Sequence, residues 1–358
     1  MTTPSTSAEF SDEPTRLRTI VTKIFTDSSS RFRATLHNGS AVELHEGVGA
    51  QDDCAVFHCS GEQELVVGSD YVRGPKFRLY EAGFLDEYDL GYYLAAANFS
   101  DVAAMGAKPI GLLTVIRYPH DMDDETFTSV LTGVHDACEG VGAPAIGGDI
   151  GGAERLILSG TALGVCAPGQ AILRRGARPG DRLCMTGATG VAGAAMAYLR
   201  AENPSRTIES DHRDVLLASW KRPQARIREG VCLGGSGLAS SGLDTSDGLK
   251  AAIENIAVAS GVGFLVDEEA VPVTQEVAAV CGHLELDLMS TIMGDSVDFE
   301  LVFTVPESDV GSLTGLFAEA GLSFTTIGHA TRATDVRLRG ADGRTRSLPG
   351  AAWRHQLA

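Results

Sequence analysis

An α/β fold of two layered domains is the architecture this sequence predicts, and three observations carry that prediction. Strand-like and helix-like segments alternate in both halves of the chain. Apolar spacing switches from segment to segment between strict alternation and helical recurrence. Pro168 and Gly169 interrupt the pattern between the halves. With 358 residues, 44% of them hydrophobic and 21% charged, the chain has apolar material for two cores.

Residues 1–14 are polar and are expected to form a disordered tail. A helix is expected from about Glu13 to Phe25, and FRATLHNGSAVEL, with HNGS at its centre, predicts a hairpin. Strands follow around Cys54–Cys59 and Leu65–Gly68. The stretch YYLAAANFSDVAAMGAKP (92–109) reads as a helix: Leu94, Ala97 and Met105 recur at helical spacing, and Gly106 ends it. Next come the strand GLLTVIRY (111–118), a helix from about Asp124 to Val141, and the strand RLILSGTALGVC (155–166). A first domain therefore spans 15–167 and a second 168–358. In the second, ARPGDRLCMTG predicts a turn, a strand and a glycine stop ahead of the helix GVAGAAMAYLRA. LDTSDGLKAAIENIAVASG is a loop entering an amphipathic helix, with Leu249, Ile253 and Ile256 on one stripe and Ser246 or Asp247 at its N-cap. ELVFTVP is a strand, and a helix over 308–320 and short strands close the chain.

A net charge of −18 disfavours nucleic acid as a direct partner, because phosphate contacts require clustered Lys and Arg. Any phosphate ligand must then be reached through metal ions. No apolar run approaches the roughly eighteen residues of a membrane span, and MTTPSTSAEFSDEPTR lacks the basic-then-apolar order of an export signal. A cytoplasmic protein without membrane association is expected. Its seven cysteines form no CxxC pair and read as reduced core thiols.

Six acidic positions sit at strand ends, glycine turns or helix starts, or inside the 92–109 helix: Asp52 and Asp53 in GAQDDCAV, Asp70 in VVGSDY, Asp101, Asp149 in AIGGDIGG, and Asp247 in DTSDGL. Each alone is an ordinary turn residue. Brought together, they would repel by roughly 4 kcal/mol per pair at about 4 Å with an effective dielectric near 20, and only bound cations could hold them. Oxygen ligands without neighbouring His or Cys point to Mg²⁺. Asn98 and Asp101 fall on nearly the same face of their helix, where a buried carboxylate needs a partner such as a cation. GATGVAG (187–193) has phosphate-loop glycines but lacks the Lys-Ser/Thr of a P-loop, and reads as a tight strand-to-helix turn. There is no GxSxG elbow and no paired kinase set of HRD with DFG in the sequence.

DDCAV, NFSDVAAMGAKP, AIGGDIGG, ILRRGARPGD, LDTSDGL and GDSVDFELVFTVP, in this order, resemble the thiamine-monophosphate kinase family within the aminoimidazole ribonucleotide synthetase-like ATP enzymes. The resemblance runs from about Gly49 to about Gly328, and its match to NLSDxAAMGA is the most specific part. It implies a two-domain synthetase-like α+β fold, with an N-terminal sheet domain forming a homodimer and a C-terminal α/β sandwich. It also implies ATP held with several Mg²⁺ ions between the domains. Carried over position by position, Asp52, Asp53, Asp70, Asp101, Asp149 and Asp247 become metal-holding carboxylates or their neighbours, with Asp101, Asp149 and Asp247 as the catalytic set. Gly147, Gly148, Arg174, Asn98 and Ser246 become nucleotide contacts, and Asn98 supports Asp101.

The sequence also departs from the family pattern. GIGDD is GAQDD here, with Gln51 in place of a glycine; TDTLVEGVHF is SDYVRGPKF; a Lys or Arg ahead of the NLSD stretch is Tyr93; and GGEDYEL is DSVDFEL, with Val297 for Glu. The metal and ATP set is better kept than the expected acceptor lining of Tyr71, Arg73, Lys76, Tyr93 and Val297. Three functions are therefore weighed: phosphorylation of thiamine monophosphate; phosphorylation or ATP-activation of an amide, carboxylate or hydroxyl on another small anionic metabolite; and non-catalytic nucleotide and metal binding. A phosphate monoester, with its second pKa of about 6, is already ionised and needs no general base. That agrees with a site rich in Asp and Gly.

Overall fold

The computed structural model describes residues 32–35, 40–47, 52–59, 61–72, 75–201 and 210–351. The expected tail, the Glu13–Phe25 helix, the hairpin tip at 36–39, Gln51 and Arg73 lie outside the described residues.

Strand β1 (Arg33–Thr35) pairs antiparallel with β2 (Ala41–Glu46), as the alternation predicts. The antiparallel run continues through β3 (Ala55–Cys59) and β4 (Gln63–Tyr71). Helices α1 (Pro75–Glu81) and α2 (Glu87–Ala104), strand β5 (Lys108–Pro119), helix α3 (Asp124–Val141), and strands β6 (Ala145–Ala153) and β7 (Ile157–Cys166) complete the first half. These strands form one sheet in the order β1-β2-β3-β4-β7-β5-β6. AIGGDIGG, expected as a glycine turn, is instead the edge strand β6, parallel to β5 with Val115 opposite Asp149. A Cβ at Gly148 would fall 1.8 Å from the Thr114 carbonyl oxygen, so the glycine lets the two strands approach.

The second half runs β8 (Arg182–Met185), α4 (Val191–Arg200), α5 (Ser210–Lys221), α6 (Ile227–Ser236), β9 (Ser241–Asp244), α7 (Leu249–Ser260), β10 (Gly263–Asp267), α8 (Gln275–Leu284) and α9 (Leu288–Met293). It ends with β11 (Leu301–Val305), α10 (Val310–Glu319), β12 (Thr325–Thr331), β13 (Val336–Arg339) and β14 (Thr345–Ser347). Its sheet has the order β14-β13-β10-β12-β8-β11-β9. Gly248, rather than Ser246 or Asp247, caps α7, without a side-chain hydrogen bond.

Helix α2 joins the halves. Asp86 caps it in a reciprocal box: the Asp89 N–H donates to the Asp86 carboxylate, and the Asp86 N–H donates to Asp89. The helix touches β4, β5 and β7 of the first sheet, α3 beside it, and α5, α6 and β9 of the second half. Covered from several directions, it buries polar Asn98 and Ser100 along with Leu90, Leu94 and Phe99. Each of those three apolar side chains contributes about 1.5–3 kcal/mol by leaving water. Gly91 and Gly133 let α2 and α3 meet: a Cβ at either would fall 2.0 Å from a carbonyl oxygen of the other helix. Alanine at either position forces the helices apart.

Candidate active site

A cavity of about 190 Å³ opens where the C-terminal turn of α2 meets the loop from β9 to α7. Its lining divides by chemistry. Asp52, Asp53, Asp70, Asp101 and Asp247, with Arg174, form an acidic group; Tyr93, Val297 and Phe299, with Lys76, form an aromatic and apolar one. Ser69 and Ser246 also reach the cavity. The five carboxylates come from four separate segments: the stretch before β3, the end of β4, the last turn of α2, and the loop ahead of α7. Thus the structure brings together five of the six acidic positions singled out in the sequence, along with Arg174 and Ser246.

Arg174 sits on the connection from β7 to β8 and joins two of these groups. Its guanidinium donates to Asp53 Oδ1 at 2.5 Å, and its backbone N–H donates to the Asp52 carboxylate oxygens at 3.1 and 3.2 Å. Burial, then the neighbouring Asp53, push Asp52 up to about 7, against the pull of Arg174. Burial also raises Asp101 well above the carboxylate range, reinforced by Asp244, Asp53 and Asp70. Asp53 Oδ2 and Arg174 Nε are buried without a hydrogen-bond partner among the described residues. A carboxylate oxygen in that condition, beside further carboxylates and no His or Cys in the lining, fits a hard divalent cation such as Mg²⁺.

Four expected contacts lie elsewhere. Asp149, Gly147 and Gly148 are on β6, outside the cavity, and the Asp149 side chain is 67% exposed and bonded to Arg117 at 2.6 Å. The reason is topological. Tyr71, Ser159, Val115 and Asp149 form one row across β4, β7, β5 and β6, so three strand spacings of about 4.8 Å separate Asp149 from the β4 end that carries Asp70. Asn98 is wholly buried and does not line the cavity. It accepts from the Asp70 N–H at 3.0 Å and donates to the Leu94 carbonyl at 2.8 Å, so it fastens β4 rather than supporting Asp101.

Sequence reasoning passed over three acids behind the cavity, Asp244 and Glu300 buried and Asp298 half-buried. Asp244, the first acid of LDTSDGL, accepts from Ser100 and Ser246, and burial followed by Asp53 pushes it up to about 7. Asp298 accepts from the backbone N–H groups of Gly190 and Ala192 at 2.7 and 3.0 Å. The start of α4, where GATGVAG resembles a phosphate loop, is therefore occupied by the chain's own carboxylate. Glu300 is gripped by both ends of the Arg226 guanidinium and accepts from Thr186 Oγ1 at 2.6 Å. The repeated Asp of LDTSDGL was the signal available for Asp244. Between Asp298 and Glu300, Phe299 holds a left-handed backbone, φ 55°, which costs about 1–3 kcal/mol and is stabilised by its anchored neighbours. Phe299 lies 5.5 Å from Tyr93 between ring centroids, and Lys76 Nζ lies 4.7 Å from the Tyr93 centroid.

Residues 51–166 match the family described as AIR synthase related protein, N-terminal domain, and residues 178–341 match its C-terminal domain. The thiamine-monophosphate kinase of Pyrococcus horikoshii is 30% identical over 308 residues, covering 86% of this chain and 91% of that protein. That of Escherichia coli (strain K12) is 32% identical over 293 residues, covering 82% and 86%. The solved structure "AaThiL complexed with AMPPCP and TMP" superposes with a TM-score of 0.73 at 25% identity, covering 85% of this chain and 91% of that one. A HypE-HypF complex superposes at 0.68 with 19% identity, covering 93% and 99%, a likeness of fold. With two AIR-synthase-related domains and kinase relatives matched over most of its length, the chain belongs to the thiamine-monophosphate kinase family.

Proposed function

We propose that this protein transfers the γ-phosphoryl group of ATP to thiamine monophosphate, giving thiamine diphosphate and ADP, with Mg²⁺ as the required cation. One observation carries the reading: carboxylates from four segments line a single cavity in which Asp53 Oδ2 is buried without a hydrogen-bond partner among the described residues. Such a cavity repels a bare triphosphate and accepts one bound to cations. When bound, Mg²⁺ supplies charge neutralisation for the phosphates. Asp52, Asp53, Asp70, Asp101 and Asp247 would hold it. Arg174, steered by Asp52 and Asp53, supplies fixed positive charge for the phosphate chain.

The acceptor phosphate oxygen attacks the γ-phosphorus in line while the bond to the β,γ-bridging oxygen breaks. With a second pKa of about 6, the acceptor is already ionised near neutral pH, so no lining residue is needed as a base. The relatives named as thiamine-monophosphate kinases support the choice of acceptor. Lys76 over Tyr93, with Val297 nearby in the lining, favours a second reading, a more anionic acceptor phosphorylated by the same machinery.

The working unit is a homodimer. Leu113, Val115 and Ile157 are exposed large apolar residues of the first sheet, and a second copy covering that sheet would remove them from water. The seven free cysteines suit a reducing, cytoplasmic setting, and no helix among the described residues is long and apolar enough to cross a membrane. Incubation with ATP, Mg²⁺ and thiamine monophosphate, followed by mass spectrometry, tests the reading. Thiamine diphosphate and ADP in equal amounts are expected, and ATP turnover without thiamine diphosphate overturns the acceptor.

A further inference from the structure

The connection from β7 to β8 crosses between the two halves and is pinned nearly residue by residue. Ile172 donates its N–H to the Met105 carbonyl just past α2 at 2.9 Å, and the Leu173 carbonyl accepts the Gly242 N–H of β9 at 3.0 Å. Arg174 comes next. Its N–H and guanidinium reach Asp52 and Asp53, and it is the residue of this connection that lines the cavity.

Ser260, the last residue of α7, holds the Arg174 backbone from the other side. Its hydroxyl donates to the Arg174 carbonyl at 3.3 Å and accepts the N–H groups of Gly176 and Ala177 at 3.1 and 3.2 Å. A hydroxyl has one proton to give and two lone pairs to offer, so its whole capacity is used. Gly176 makes the turn that brings these groups to one oxygen: its φ is 127°, and a Cβ there would fall 2.2 Å from the Ser240 carbonyl oxygen. Helix α7 is a fixed mount, because Leu249, Ala252, Ile253 and Ile256 bury its inner face. It follows the Asp247 loop and ends at Ser260, so one helix about 18 Å long ties the cavity loop to the Arg174 backbone.

Asp52 and Asp53, the side-chain partners of Arg174, are among the residues read above as Mg²⁺ ligands. Cation uptake therefore draws on the same carboxylates that steer the guanidinium. Ser260 carries no charge and lies outside the cavity lining, so its hold on Arg174 persists through that exchange.

We propose that Ser260 is a positioning residue: its hydroxyl fixes the Arg174 backbone, and with it the reach of the guanidinium into the cavity, and so sets how tightly Mg²⁺-bound nucleotide is held. The inference rests on the kinase reading above for the identity of the ligand. Ser260→Ala leaves two N–H groups and a carbonyl without their partner, while Ser260→Thr keeps the hydroxyl.

The test is calorimetric binding of AMPPCP, a non-hydrolysable ATP analogue, to the full chain at saturating Mg²⁺, with thermal unfolding in chelator followed in parallel. Wild type, Ser260→Ala, Ser260→Thr and Thr274→Ala are compared. The last removes the N-cap hydrogen bond of α8, a helix that contributes nothing to the cavity lining, and controls for general loosening. Misplacing a positioning group by about 1 Å costs up to about 100-fold, so the Kd for AMPPCP is expected to rise about 10- to 100-fold in Ser260→Ala. Ser260→Thr should bind close to the wild type, and Thr274→Ala should lower the thermal midpoint with no change in Kd. A lowered midpoint with an unchanged Kd in Ser260→Ala marks a merely structural residue and overturns the proposal. So does a Ser260→Thr variant that binds as weakly as Ser260→Ala, or a Thr274→Ala variant that loses as much affinity. If Ser260→Ala does not fold, Ser260→Cys, whose thiol is a weak donor and acceptor, carries the same test, and an unchanged Kd there overturns it. Since no acceptor is present, wild-type protein that binds Mg²⁺–AMPPCP but fails to phosphorylate thiamine monophosphate defeats the acceptor reading and leaves this result standing. Wild-type protein that binds no Mg²⁺–AMPPCP defeats both.

Discussion

Arg174 serves two adjacent carboxylates through two different groups: its guanidinium binds Asp53 and its backbone N–H binds Asp52. Both ends of the ion pair are mostly buried, so deleting one partner leaves an uncompensated charge, at a cost of about 3–5 kcal/mol. Arg174→Met is expected to lower the thermal midpoint in chelator and to weaken AMPPCP binding. Added Mg²⁺ should recover part of the lost stability, because cations then neutralise Asp52 and Asp53. Denaturation of the variant with chelator and with Mg²⁺ checks this, and equal midpoint losses in both conditions would contradict it.

Asp101→Asn removes a charge while keeping shape. Because burial and three neighbouring acids disfavour ionised Asp101 in the metal-free protein, the variant is expected to be at least as stable as the wild type in chelator. Turnover should nevertheless fall by at least about 100-fold, the loss expected from a poorly held catalytic cation. Unchanged kcat at saturating Mg²⁺ would return Asp101 to a purely architectural role.

The raised carboxylates fix the sign of the pH dependence. Asp52 and Asp244 move from 3.8 to about 7 on folding, and Asp101 moves the same way. Between about pH 4 and 7 the folded chain therefore holds more protons than the unfolded one, and stability falls as pH rises through that window. In chelator, the thermal midpoint should be higher at pH 5 than at pH 8. Mg²⁺ competes with those protons, so its stabilising increment should be larger at pH 8. A midpoint in chelator that rises from pH 5 to pH 8 would refute this assignment.

Much of this was legible in the sequence because it rests on local pattern. The helix expected over 92–109, which runs Glu87–Ala104 and gives way to β5 at Lys108, and the Asp124–Val141 helix follow from spacing, while the grouping of Asp52, Asp53, Asp70, Asp101 and Asp247 was implied by the family resemblance. Strand β6 was not legible, since AIGGDIGG lacks alternating side chains and its extended backbone is fixed by pairing with β5. The position of Asp149 was not legible for the same reason: only strand order shows it three strands from β4. Asn98 and Asp101 share a helix, yet their different partners, the Asp70 backbone and the cavity, appear only when β4 is in place. Asp244 was hidden behind Asp247 because burial, unlike charge, cannot be read from a loop.

The exposed face of the first sheet gives a prediction about assembly. Val115→Asp places a charge beside Leu113 and Ile157 without touching the cavity lining. Light scattering is expected to show a dimer for the wild type and a monomer for the variant. A wild-type monomer, or a variant that remains dimeric at micromolar concentration, would remove this face as the interface.

The last prediction concerns the acceptor. Lys76, mounted on α1, holds its ammonium over the Tyr93 ring, and Tyr93 meets Phe299, so a positive charge and two aromatic rings share one part of the cavity lining. Thiamine monophosphate carries both an anionic phosphate and a cationic thiazolium ring. The ammonium attracts the first and repels the second, and the two effects predict opposite outcomes when the charge is removed. The phosphate is the reacting group and must lie close to the machinery that holds ATP, so the attractive effect should dominate. Lys76→Met is then expected to raise the KM for thiamine monophosphate about tenfold, equivalent to about 1.4 kcal/mol, with little change in the KM for ATP. Lys76→Arg, which keeps the charge, should recover part of that loss. If the wild type converts thiamine monophosphate only marginally and Lys76→Met improves it, the ammonium is instead repelling the thiazolium ring. That outcome would assign the cavity to a more anionic phosphoryl acceptor.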